Sequence, residues 1–112
     1  MQEIVINHCF GGFGLSHEAI MAYAQEKGIT LYPVSDGWYT HYYTDAEHKD
    51  YFSPADIQRD DSALLKVVKD LGKEAWGNSA ELGIIEIPDG VNWTIEEYDG
   101  QETIAEIHRT WS

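Results

Sequence analysis

The chain is poor in cysteine, in proline and in positive charge. Its one cysteine, Cys9, cannot close a disulfide within the chain, which fits a reducing compartment. With three prolines, no internal repeat, no low-complexity tract and no linker, nothing divides the sequence, and one domain spanning 1–112 is expected. No apolar run approaches the roughly 20 residues needed to cross a bilayer. Acidic Glu3 stands where a secretory leader would be basic, so neither a membrane span nor a signal peptide is expected. Lys and Arg number 7 against 20 Asp and Glu, a net charge of −13. Such a chain is repelled by nucleic acid and by anionic lipid, so neither is expected as a direct partner. The acidity itself reads either as a surface that imitates a polyanion and docks on a basic partner, or as plain solubility.

What is present supports a folded domain. Hydrophobic residues make up 43% and Trp, Tyr and Phe 12%, enough for a core and too much for disorder. Residues 3–9 predict a buried first strand. Leu15 to Lys27 predicts a helix, with Ser16 as N-cap, Leu15 and Ile20 as a hydrophobic staple, and Gly28 as stop. Ala19, Ile20, Tyr23 and Ala24 fall on one face of it. Ile29 to Val34 predicts a second strand, and strand–helix–strand suggests a right-handed parallel crossover. Periodicity is lost from Ser35 to Phe52, which reads as a long loop or irregular hairpin. Ser53-Pro54-Ala55-Asp56 reads as a short helical turn. A helix follows from about Asp61 to Gly72, or as far as Trp76, with Leu64, Val67, Val68, Leu71 and Ala75 as its apolar stripe. Leu82 to Ile87 and Asn92 to Tyr98 read as strands. Asp99-Gly100 is a hairpin turn. Thr103 to Trp111 is the returning strand or, alternatively, a terminal helix. The expected fold class is α/β, with α+β as the variant: a single compact domain holding a mixed sheet, two main helices and a C-terminal β-hairpin.

The candidate site is the junction Cys9-Phe10-Gly11-Gly12-Phe13-Gly14-Leu15-Ser16, where a strand meets a helix start through three glycines. Backbone N–H groups at such a junction can hold a phosphate or carboxylate. The same pattern also arises from close packing alone, and Glu18 would repel an anion. The expected ligand-binding set is Gly11, Gly12, Phe13, Gly14 and Ser16 for backbone and cap donors, Trp38 and Tyr42 for stacking, and Arg109 for charge. Arg109 is the only Lys or Arg after Lys73, and reads as an anion hook or as the partner of a structural carboxylate. No catalytic residue, metal or cofactor is expected. His41, Asp45, Glu47, His48 and Asp50 read as solvated loop residues rather than metal ligands. Cys9 follows His8 directly, and on a strand neighbours point to opposite faces, so no Cys–His pair is expected.

Both ends of the chain resemble a group of small bacteriophage-encoded proteins, mostly of unknown function. The likeness rests on Ile4-Val5-Ile6-Asn7 with Cys9-Phe10-Gly11-Gly12-Phe13-Gly14-Leu15-Ser16, on Arg59-Asp60-Asp61, and on Ile87-Pro88-Asp89-Gly90, Ile95-Glu96-Glu97-Tyr98-Asp99-Gly100, Glu106 and His108-Arg109-Thr110-Trp111. About half the chain is covered; Tyr39 to Phe52 departs from the pattern. The resemblance implies phage origin, expression in a bacterial host's cytoplasm, and interference with a host process or defence. The expected function is a non-catalytic binding protein that sequesters a phosphate-bearing small ligand such as a nucleotide signal. The alternatives are an acidic nucleic-acid mimic that inhibits a host protein, and a small nucleotide-modifying enzyme. Small size and aromatic content make the chain a homo-oligomer candidate.

Overall fold

The computed structural model describes residues 1–107. The central element is β1 (Gln2–Asn7). Alternation along it puts Ile4 and Ile6 on one face and Val5 on the other. All three are at most 3% exposed, so β1 is covered on both sides. Strand β5 (Leu82–Ile87) pairs with it antiparallel over its whole length, from Gln2↔Ile87 to Asn7↔Leu82. On the Val5 face lie α1 (His17–Lys27) and α2 (Ser62–Leu71). Ile20, Tyr23, Leu64, Val67 and Val68 join Val5 and Leu82 in one cluster. Each fully buried aliphatic side chain of this kind contributes about 2 kcal/mol. The hairpin of β6 (Trp93–Tyr98) and β7 (Gln101–Glu106) supplies the remaining cover. Its β7 lies against β1, and Trp93 Nε1 donates to Gln2 Oε1 at 3.2 Å. A third antiparallel sheet is made of β2 (Tyr32–Ser35), β3 (Thr40–Tyr43) and the short β4 (Tyr51–Phe52).

The α+β variant of the expected class, both helices and the C-terminal hairpin are therefore present. Local chemistry explains them. Ser16 Oγ accepts from Ala19 N–H at 3.1 Å and starts α1, while Gly28, at φ 71°, ends it. Asp61 caps α2 through Ala63 N–H and Leu64 N–H. Beyond Leu71 the chain tightens into a 3-10 turn at Gly72–Ala75 instead of extending the α-helix. Asp99 and Gly100 take φ 49° and 89°, the left-handed pair that a two-residue hairpin turn demands. The returning strand begins at Gln101, two residues earlier than expected, and is a strand rather than a helix as far as Glu106.

The parallel crossover does not form, and the strands divide into three antiparallel sheets instead of one mixed sheet. The strand after α1 turns away from β1 and pairs with β3, from Tyr32↔Tyr43 to Ser35↔Thr40. Pro33 supplies a reason, because it has no N–H and is confined to sheet edges. The run Leu82-Gly83-Ile84-Ile85-Glu86-Ile87 takes the place beside β1. The region 35–52, expected as loop or irregular hairpin, carries β3 and β4, with Tyr42 and Phe52 turned toward the core.

Candidate functional site

The glycine junction follows β1 and lies flat on another stretch of backbone. Gly77 N–H donates to the Gly14 carbonyl at 3.0 Å, and Ser16 N–H donates to Ala75 O at 2.9 Å. Ser16 Oγ donates to Glu74 O at 2.6 Å. A Cβ at Gly11 would overlap the Ser79 carbonyl. The Gly100 turn presses on the loop as well: a Cβ there would lie 2.5 Å from Gly12 N and from Phe10 O. Glycine is needed here so that three backbone segments can approach closely. Glu18 sits in the first turn of α1, where an anion would be held.

Under this junction is a buried polar hub that sequence reading missed. Asn7 is fully buried, and its amide group is completely used. Its Nδ2 donates to Cys9 O and Gly100 O, both at 2.7 Å, and its Oδ1 accepts from Glu81 N–H at 2.8 Å. Its backbone N–H donates to Glu102 Oε1 at 2.8 Å. Glu102, 6% exposed, forks onto Arg59 at 2.6 and 2.9 Å. The guanidinium also stacks on Phe13, 3.5 Å from the ring centre. Arg59 O accepts from Val5 N–H at 2.9 Å, which pairs β1 on the edge away from β5. Bidentate geometry in so dry a place fixes register as well as charge. One signal was available in the sequence: a polar Asn ending the apolar run Ile4-Val5-Ile6.

The expected site residues are thus divided. Gly11, Gly12, Phe13, Gly14 and Ser16 stay together at the junction. Tyr42 is buried at 5% exposure, and its hydroxyl is hydrogen-bonded to His17 Nδ1 at 2.8 Å. Burial, and then the Glu18 charge, raise its pKa. Trp38 is 90% exposed at the β2–β3 tip, where Asp36 Oδ1 accepts from Trp38 N–H and Tyr39 N–H. Arg109 lies outside the described residues. Cys9 Sγ donates to Ser79 O at 2.9 Å. Among the described residues no three His, Cys, Asp or Glu side chains converge as metal ligands.

A second polar cluster joins the helices. Asp61 accepts from Lys27 Nζ at 3.0 Å and from the Tyr23 hydroxyl at 2.9 Å. Burial pushes the Asp61 carboxyl up, but Lys27, Tyr23 and the α2 N–H groups outweigh it and the net shift is down. Burial and Asp61 together push the Tyr23 phenol up to about 12. A lowered carboxylate contributes stability above its unfolded value, and that stability is lost as pH falls through the folded value. A raised phenol contributes below pH 10, and its share is lost as pH rises toward 12. Asp61→Asn, which keeps a capping side chain, is expected to flatten the acid limb of a stability–pH curve by about 1 kcal/mol. Tyr23→Phe should flatten the alkaline limb. Urea midpoints measured across the pH range check both.

Three open clefts flank these clusters. One of about 310 Å³ is lined by Tyr23, Tyr51, Phe52, Asp56 and Asp61 among others. One of about 500 Å³ separates Ala55–Arg59 from Trp93–Ile95. One of about 670 Å³ runs along α1 beside Ile29 and Leu31. Comparison with protein-family models, curated proteins and solved structures finds no match.

Proposed function

We propose that this chain is a non-catalytic binding protein that places its acidic stretch Glu74 to Glu106 on a basic surface of a partner protein, in the place of nucleic acid. The observation that carries the reading is how its charge is distributed. Lys27, Lys49, Arg59, Lys66 and Lys69 are each paired with a carboxylate of the chain itself. Among the Lys and Arg of the described residues only Lys73 lacks such a partner. From Glu74 to Glu106 there is no Lys, Arg or His, and eight carboxylates are exposed there: Glu74, Glu81, Glu86, Asp89, Glu96, Glu97, Asp99 and Glu106. Glu96, Glu97 and Asp99 crowd the end of the β6–β7 hairpin. A field of this sign speeds encounter with cationic surfaces and rejects anionic ones. It also disfavours a phosphate-bearing ligand at the glycine junction, where Arg59 is already held by Glu102.

The resemblance to phage-encoded proteins makes a bacterial nucleic-acid-binding protein the partner to seek first. Capture from bacterial lysate on the immobilised chain should retain such proteins at low salt and release them steeply as salt rises. Neutralising Glu96→Gln, Glu97→Gln and Asp99→Asn together should reduce capture about tenfold or more while leaving the fold intact. Capture that ignores both salt and the triple change would overturn the proposal.

A further inference from the structure

The fold handles cations in a repeated way. Arg59 sits on the Phe13 ring and forks onto Glu102. Lys27 lies 5.9 Å from the Tyr23 ring centre and pairs with Asp61. In both places one aromatic face and one carboxylate hold one positive side chain, the arrangement in which the cation–π and ionic attractions act together. Another aromatic side chain and another carboxylate both line the cleft of about 310 Å³: Tyr51, 58% exposed, and exposed Asp56. Among the described residues no Lys or Arg pairs with Asp56.

We infer that this cleft receives an arginine side chain of the basic partner, its guanidinium stacked on Tyr51 and hydrogen-bonded to Asp56. The inference rests on the proposed function and assigns an anchor to it. Tyr32↔Tyr43 and Tyr43↔Tyr51 place three tyrosines in a row on the outer face of the β2–β3–β4 sheet. Tyr43 and Tyr51 meet edge to face, with ring centres 5.9 Å apart, which fixes the Tyr51 ring as a platform. Phe52, on the opposite face, stacks on Tyr23 and ties β4 to the core. The chain around Asp56 also borders the hairpin. Asp56, Ile57 and Gln58 line both this cleft and the one shared with Trp93–Ile95. A partner lying along the acidic hairpin therefore has this cleft within reach. Arginine fits better than lysine, because a planar guanidinium stacks on a ring and still presents N–H donors at its edge.

The test is fluorescence anisotropy with labelled oligoarginine and oligolysine peptides, joined to amide chemical-shift mapping of the intact chain. Oligoarginine should bind more tightly than oligolysine and shift the amides of Tyr51, Phe52, Asp56 and Gln58. Tyr51→Leu and Asp56→Asn should each weaken oligoarginine binding by about three- to fivefold. Tyr51→Leu should also erase the preference for arginine, which loss of charge alone would not do. Tyr51→Phe, which keeps the ring, should retain that preference. If oligoarginine binds but shifts amides elsewhere, or if both variants bind as the wild type does, the cleft assignment is wrong and the acidic-face proposal stands. If lysate capture fails while this site binds arginine, the partner reading falls and the site remains.

Discussion

Glu102→Ala is expected to lower the urea midpoint more than any surface change, by a free energy of about 3 kcal/mol. The carboxylate is almost wholly buried and holds both nitrogens of the Arg59 fork. It also accepts the backbone N–H of Asn7. Its removal leaves a guanidinium, itself only 14% exposed, without a counter-ion. The cost is mostly that stranded charge rather than the lost attraction. Two companion variants separate these contributions. Arg59→Ala should be damaging as well, since Glu102 is then stranded and Phe13 loses its cover. The double change Arg59→Met with Glu102→Leu should recover a large part of the loss, because neither charge then stays buried alone. Coupling between the two sites is read directly from the double-mutant cycle. Independent, additive losses would show that the fork does not act as a unit.

Gly100→Ala should be the other severe single change, costing about 3 kcal/mol. Two penalties combine there. The residue takes φ 89°, which a side chain adopts only with strain. Its added Cβ would meet Gly12 N and Phe10 O at 2.5 Å, both of them backbone. The hairpin would have to lift from the glycine junction, and the Asn7 Nδ2 bond to Gly100 O would go with it. Gly90→Ala is the matched control. It too has a positive φ, 81°, but a Cβ there meets nothing, so it carries the strain alone. Thermal and urea unfolding should rank Gly100→Ala well below Gly90→Ala. Equal losses would mean that the contact between turn and junction carries little energy.

These two residues also show where sequence reading ends. Helix starts at Ser16 and Asp61, the stop at Gly28 and the Asp99-Gly100 turn were legible, because each is decided by chemistry within four residues. Ala19, Ile20, Tyr23 and Ala24 were legible as the core face of α1 for the same reason. Strand pairing was not. The partner of β1 lies some 75 to 85 residues further along the chain, and an apolar run does not state which edge it will take. The polar hub also joins residues far apart in the chain: Asn7 and Glu102 are separated by 95 residues, Arg59 and Glu102 by 43. Arg59 reads in sequence as one cation beside two aspartates, and nothing local marks it as buried. The glycine junction was found, but its glycines read equally as ligand contacts or as packing. The overlap of Gly11 with Ser79 and of Gly100 with Gly12 favours packing. Trp38 and Tyr42, taken together as stacking residues, divide because one stands at a hairpin tip and the other faces the core.

An acidic face that takes the place of nucleic acid on a basic partner must compete with nucleic acid for it. Competition measures this directly. A labelled duplex or RNA is bound to the protein captured from lysate, and this chain is titrated in. The expected result is complete displacement, with a midpoint that rises about tenfold for the Glu96→Gln, Glu97→Gln, Asp99→Asn variant and rises again with salt. A stable ternary complex, in which the nucleic acid stays bound while this chain associates, would contradict the account.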